Sequence, residues 1–166
     1  MWFYERGIKI TFMHVIKKLL VVLLIAFIII QFIRPVRNKS EQVLPTDITK
    51  TFNVPDSVLN LLKISCYDCH SNNTNYPWYS NIQPVAWLLD SDVKNGKDKL
   101  NFSDFGSYTK RRQQSKLRSI ASQIQDNKMP ISNYTMIHSD AILTADKKAL
   151  IIDWSNKTKD SLSSLN

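Results

Sequence analysis

The sequence predicts an all-α protein, a helical domain preceded by one N-terminal transmembrane helix. Three observations carry this. Apolar residues beyond residue 50 recur at three- and four-residue spacing, as on one face of a helix. No segment alternates apolar and polar residues in the manner of a strand. Near the N-terminus the apolar residues run from 19 to 30 without a break.

The apolar run resumes after Gln31 with Phe32 and Ile33. At 1.5 Å per residue its fifteen residues reach about 22 Å, short of the roughly 30 Å hydrocarbon core. Phe12, Met13, Val15 and Ile16 extend the apolar surface upstream, and Lys17 and Lys18 can snorkel to the interface. A cleaved signal would end in small residues; this stretch ends in Gln-Phe-Ile-Arg-Pro. The expectation is an uncleaved signal anchor over 15–33 with residues 1–14 in the cytoplasm, because basic residues precede the run more densely than they follow it.

Residues 34–53 are polar, carry Pro35 and Pro45, and read as a linker. A first domain helix is expected over 55–63, with Val58, Leu61 and Leu62 apolar. Pro84 opens a second, apolar at Val85, Trp87, Leu88 and Leu89 and ended by Asn95-Gly96. Thr109 caps a third that runs to about Asp126, with Leu117, Ile120, Ala121 and Ile124 on one face; its Lys110, Arg111, Arg112, Lys116 and Arg118 read as a solvated surface. Thr144 caps the last, in which Ala149, Leu150, Ile151 and Trp154 are apolar. The domain is expected to fill 54–157, leaving 158–166 as a flexible tail.

Charge narrows the partners. The formal net charge is +8, yet most of the excess flanks the apolar run, at Arg6, Lys9, Lys17, Lys18, Arg34 and Arg37, where topology and anionic lipid explain it. The remainder is only mildly basic. Nucleic acid needs a concentrated basic face, so no nucleic-acid partner is expected.

The only two cysteines stand in Cys66-Tyr67-Asp68-Cys69-His70. On a helical turn, positions i, i+3 and i+4 share a face. Two thiols can then add to the two vinyl groups of a haem while the adjacent imidazole meets the iron, the chemistry associated with C-x-x-C-H. A thioredoxin-like redox pair is a competing reading, but it wants a strand before the motif. A structural zinc site is another; it would have to recruit His138 as its fourth ligand.

Iron ligated by His70 takes His or Met on its other side in low-spin cytochromes. Met129 is the favoured residue, because Pro130 fixes the loop that carries it; His138, Met136 and an open position are the alternatives. His14 lies beside the apolar run and is given no role. The free ring nitrogen of His70 wants a backbone carbonyl, for which Pro77 or Pro84 are the expected sources.

These residues, with Ser71-Asn72, Tyr76-Pro77-Trp78-Tyr79, Asn101-Phe102-Ser103, Met129-Pro130, Tyr134, His138 and Leu143-Thr144, resemble the bacterial haem-binding domain family. The resemblance covers 54–156. That family is similar in outline to class I c-type cytochromes, in which a helix carries the attachment motif, a methionine is the distal ligand and a C-terminal helix packs on the first. It implies a cytochrome c-like fold with one haem c, bound through Cys66 and Cys69 and ligated by His70 and Met129, and a membrane or periplasmic location. With the anchor, the haem domain is expected in the periplasm, tethered to a bacterial inner membrane. The region 76–126 departs from mitochondrial-type cytochromes. Electron transfer with redox protein partners is the leading function. A haem-based sensor with a labile sixth ligand is the alternative, and a peroxidase-like enzyme is disfavoured because a filled iron leaves no substrate position.

Overall fold

The computed structural model describes residues 2–40 and 42–163, with side chains described from Phe12 onward. Among these residues every regular element is helical, and the one β-type pairing is an isolated bridge between Lys39 and Asn73. The chain forms two compact units, one of residues up to Val36 with Tyr76–Asp90, the other of Arg37–Asn75 with Ser91 onward.

The first unit is built on α1 (Trp2–Ile30). Its segment Phe12–Ile30 is long and apolar enough to cross a membrane, with no side chain of its most apolar window buried. At 1.5 Å per residue this segment is about 28 Å long, close to a hydrocarbon core. The helix extends further upstream than the apolar run, which removes the shortfall seen in the sequence. It also stops at Ile30, three residues before the expected end of the span. There Gln31 pairs with Gln83: the Gln83 N–H donates to Gln31 Oε1 (2.9 Å), while Gln83 Nε2 donates to the Ile33 carbonyl (2.7 Å). The Trp87 indole N–H donates to the same carbonyl (3.0 Å). Side chains thus satisfy a carbonyl that the helix no longer reaches.

The second unit holds the core. In chain order it contains α2 (Ile48–Thr51), α3 (Asp56–Ser65), the single turn α4 (Tyr67–His70), the C-terminal part of α5 (Val85–Lys99), α6 (Lys110–Gln125), α7 (Ser132–Ile137) and α8 (Ala145–Ser163). α6 and α8 form the largest helix pair, and α3 packs on α8. Leu117, Ile120 and Ile124 of α6 meet Ile151, Trp154 and Leu162 of α8 in one core with Val58, Leu62, Phe102 and Phe105. Thr109 caps α6 as expected, its hydroxyl accepting from the Arg112 N–H (3.3 Å).

Four expectations are corrected. The linker 34–53 ends inside the core: Asp47 caps α2 through Thr49 N–H, Ile48 is fully buried, and its N–H donates to the Phe102 carbonyl (2.9 Å). The tail expected from 158 is helical through Ser163, because Leu162 supplies one more buried turn. Asn95-Gly96 does not end α5, which continues to Lys99. Ala149 and Leu150 face outward, leaving Ile151 and Trp154 as the inward pair of α8.

Candidate functional site

Cys66 ends α3 and begins α4. Its own N–H donates to the Leu62 carbonyl (2.9 Å), and its carbonyl accepts from His70 N–H (2.9 Å). This one turn brings Cys66, Cys69 and His70 together, as their spacing requires. Both thiols are free.

The turn is pinned on several sides. Asp68 Oδ2 accepts from the Tyr134 hydroxyl (2.8 Å), its Oδ1 from Asn75 N–H (3.0 Å), and its carbonyl from Thr74 Oγ1 (2.7 Å). The His70 carbonyl accepts from Phe102 N–H (2.7 Å), Asn72 N–H donates to Ser103 Oγ (3.0 Å), and the Asn101 amide donates to Asn72 Oδ1 (2.9 Å). The Phe102 ring stacks on Tyr67, with centroids 5.0 Å apart. Ser71-Asn72 and Asn101-Phe102-Ser103 are therefore two halves of one clamp on the Cys-Cys-His turn.

α5 closes another side. His70 Nδ1 lies 2.9 Å from the Gly96 carbonyl and 3.0 Å from that of Leu100. Carbonyls only accept, so the ring proton sits on Nδ1 and the lone pair of the neutral ring is left on Nε2. Burial pulls the imidazole's proton affinity below its ordinary value, against the opposing effect of those two bonds. The carbonyl partners are Gly96 and Leu100, in place of the expected Pro77 or Pro84. Gly96 has a second role: a Cβ there would stand 2.4 Å from the Cys69 carbonyl oxygen. Only glycine lets α5 approach this closely.

The thiols are held protonated. Burial, then Cys69, pushes Cys66 up to about 12; burial, then Asp92 and Asp68, pushes Cys69 up to about 11. Burial followed by the Asp68 hydrogen bond also raises Tyr134.

Two cavities of about 250 and 380 Å³ share Ser65, Cys66, His70, Lys99 and Met129 in their walls. Cofactor pockets are commonly about 300–1,000 Å³. Cys69, Asp68, Asp92 and Tyr134 line the first; Lys116, Gln123 and Ile124 line the second. Acidic side chains therefore line only the first cavity, whereas Lys99 lines both and Lys116 the second. Crowding by burial and by Arg112 and Lys99 lowers the proton affinity of Lys116.

Of the three candidates for the far side of the space, Met129 lines both cavities and the others line neither. Met136 is 80% exposed. His138 stacks on Tyr134, with centroids 4.3 Å apart. The competing readings of the cysteine motif find little support. Among the described residues no group of three or more Cys, His, Asp or Glu side chains converges as metal ligands, and no strand precedes Cys66.

Sequence reasoning missed Gly96, Lys99, Leu100 and Asp68. Gly96 was legible as a glycine inside an amphipathic pattern, which marks close packing as readily as a helix end. The carbonyl of Leu100 leaves no mark in a sequence.

The arrangement suits a flat, largely apolar cofactor bearing two carboxylates. Two thiols, a neutral imidazole with an available lone pair and a thioether line the space, and Lys99 and Lys116 offer positive charge. Comparison with known proteins agrees. No curated protein and no solved structure matches the chain significantly. A model of the haem-binding domain family matches residues 25–157. The match begins within α1, so the end of that helix and residues 34–53 lie inside the family's unit, which is wider than the region 54–156 on which the resemblance was drawn. With most of its length matched and a pocket suited to the cofactor, the chain belongs to the haem-binding domain family.

Proposed function

We propose that this is a membrane-anchored c-type haem protein that transfers single electrons at the periplasmic face of a bacterial inner membrane. The observation that carries the proposal is the sharing of one space by Cys66, Cys69, His70 and Met129. Cys66 and Cys69 would hold one haem through thioether bonds, and His70 Nε2 and the Met129 sulfur would be its two protein ligands. The haem supplies the ferric–ferrous couple. Everything else is positioning. The Gly96 and Leu100 carbonyls fix the imidazole plane and raise its basicity toward a metal. The apolar wall of Ile120 and Ile124 excludes water, and the clamp around Asp68, Asn72 and Asn101 limits reorganisation on redox change. A bound haem would find positive charge for its carboxylates at Lys99 and Lys116, whereas Asp68 and Asp92 line the first cavity and would repel them. α1 anchors the chain, with its N-terminal end in the cytoplasm. The partners are redox proteins on the same side as the haem.

Methionine ligation is tested on the purified full chain in detergent. The ferric protein should show the long-wavelength band of a methionine–iron bond. Met129→Ala abolishes it, whereas Met136→Ala and His138→Ala leave it. A band that survives Met129→Ala, or rapid carbon monoxide binding by the reduced wild type, would point to a labile sixth position and hence a sensor or ligand-binding module.

A further inference from the structure

No Asp, Glu, Lys, Arg or His occurs between His70 and Asp90, and residues 76–89 within that stretch include Tyr76, Trp78, Tyr79 and Trp87. The proposed electron-transfer site uses none of these side chains. Within the first unit the segment is tied to the exit of α1 by Gln83 and Trp87, through the bonds to Gln31 and Ile33. Gln83 and Ala86 are buried. The bulky apolar side chains between and around them are not: Trp78 is 76% exposed, Leu88 65% and Ile82 39%. At the foot of α1, Phe32 is 83% and Val36 91% exposed. One small unit therefore exposes several large apolar side chains from an uncharged segment tied to the end of an apolar helix, with Arg34 in the same unit.

We infer that 76–89 is a membrane-interface anchor, a segment lying in the headgroup boundary next to α1 with Trp78, Ile82 and Leu88 in the lipid. It rests on the reading of α1 as a membrane span. Tryptophan and tyrosine concentrate at that boundary because an apolar ring and a polar N–H or O–H are both satisfied there. Here Trp78–Asn81 forms a 3₁₀ turn, closed by Ser80 Oγ donating to the Pro77 carbonyl (2.6 Å). The absence of charge fits burial at the headgroup level, and Arg34 complements anionic lipid. A lipid surface accounts for the two exposed ends together, because the end of α1 and the 76–89 face are held side by side by hydrogen bonds.

The test uses the full chain in vesicles of phosphatidylcholine and phosphatidylglycerol, a phospholipid carrying a photoactivated diazirine in its acyl chain, and peptide mass spectrometry. Labelling is expected in α1 and, several-fold above the level of α6, in 76–89, centred on Trp78, Ile82 and Leu88. Combined Trp78→Glu and Leu88→Glu should lower it in 76–89 and leave α1 unchanged. Labelled α1 with 76–89 at the level of α6 overturns the anchor while the membrane span stands. An unlabelled α1 overturns the span and the anchor with it. If 76–89 is shielded until the protein is diluted in lipid, the face belongs to a second copy, which also overturns the anchor.

Discussion

A glycine in a helix interior normally costs about 0.5–1 kcal/mol relative to alanine, so replacing it usually stabilises. Gly96 reverses that sign, because its Cβ would collide with backbone of the Cys69 turn at 2.4 Å. Gly96→Ala should destabilise by about 1–3 kcal/mol, the range for overpacking, seen as a lower Tm and lower haem retention. The thiols offer a test by pH. Their pKa values rise on folding, from 9.0 to about 12 for Cys66 and to about 11 for Cys69. A raised acid pKa contributes stability below the unfolded value and loses it as pH climbs toward the folded one. The haem-free chain should therefore weaken from about pH 9 upward in chemical denaturation. The proposed thioether bonds would remove both titrating sulfurs, and the haem-loaded chain should then lack that alkaline loss.

At the scale of elements, α7 acts as a strut. Its Tyr134 reaches back across the fold to Asp68 of α4, the same residue that fastens Asn75 and Thr74. Tyr134→Phe removes a partly exposed hydroxyl that donates to Asp68 and also lies 3.1 Å from the Ile64 carbonyl, a loss of about 1 kcal/mol. Met129 stands just before α7, so carbon monoxide should bind the reduced variant faster than the wild type in stopped-flow mixing. The sequence reveals α3, α6 and α8 well, because Val58 and Leu62, Leu117 to Ile124, and Ile151 and Trp154 sit at helical spacing. It conceals α2, a single turn whose place depends on Ile48 pairing with distant Phe102. It also misplaces the end of α5, since Asn95-Gly96 looks the same whether glycine stops a helix or admits a neighbour.

For the molecule as a whole, local spacing alone brought Cys66, Cys69 and His70 onto one turn, so that part of the site was readable from five residues. Met129 is 59 positions beyond His70, and only its proline neighbour and the resemblance marked it. Tertiary packing puts it on the same space, and packing likewise selects Gly96 and Leu100 as the carbonyl partners of His70. Lys99 of α5 and Lys116 of α6 meet at the second cavity, although the charges of α6 read in the sequence as ordinary solvated surface. The proposed covalent bond to haem underlies the electron-transfer reading, and it can be measured directly. The full chain, produced in a host that matures c-type haem, is denatured, extracted with acidified acetone and assayed for haem remaining on the polypeptide. Haem should stay with the wild type and be lost from the variant carrying both Cys66→Ser and Cys69→Ser; haem that extracts freely from the wild type would contradict covalent attachment.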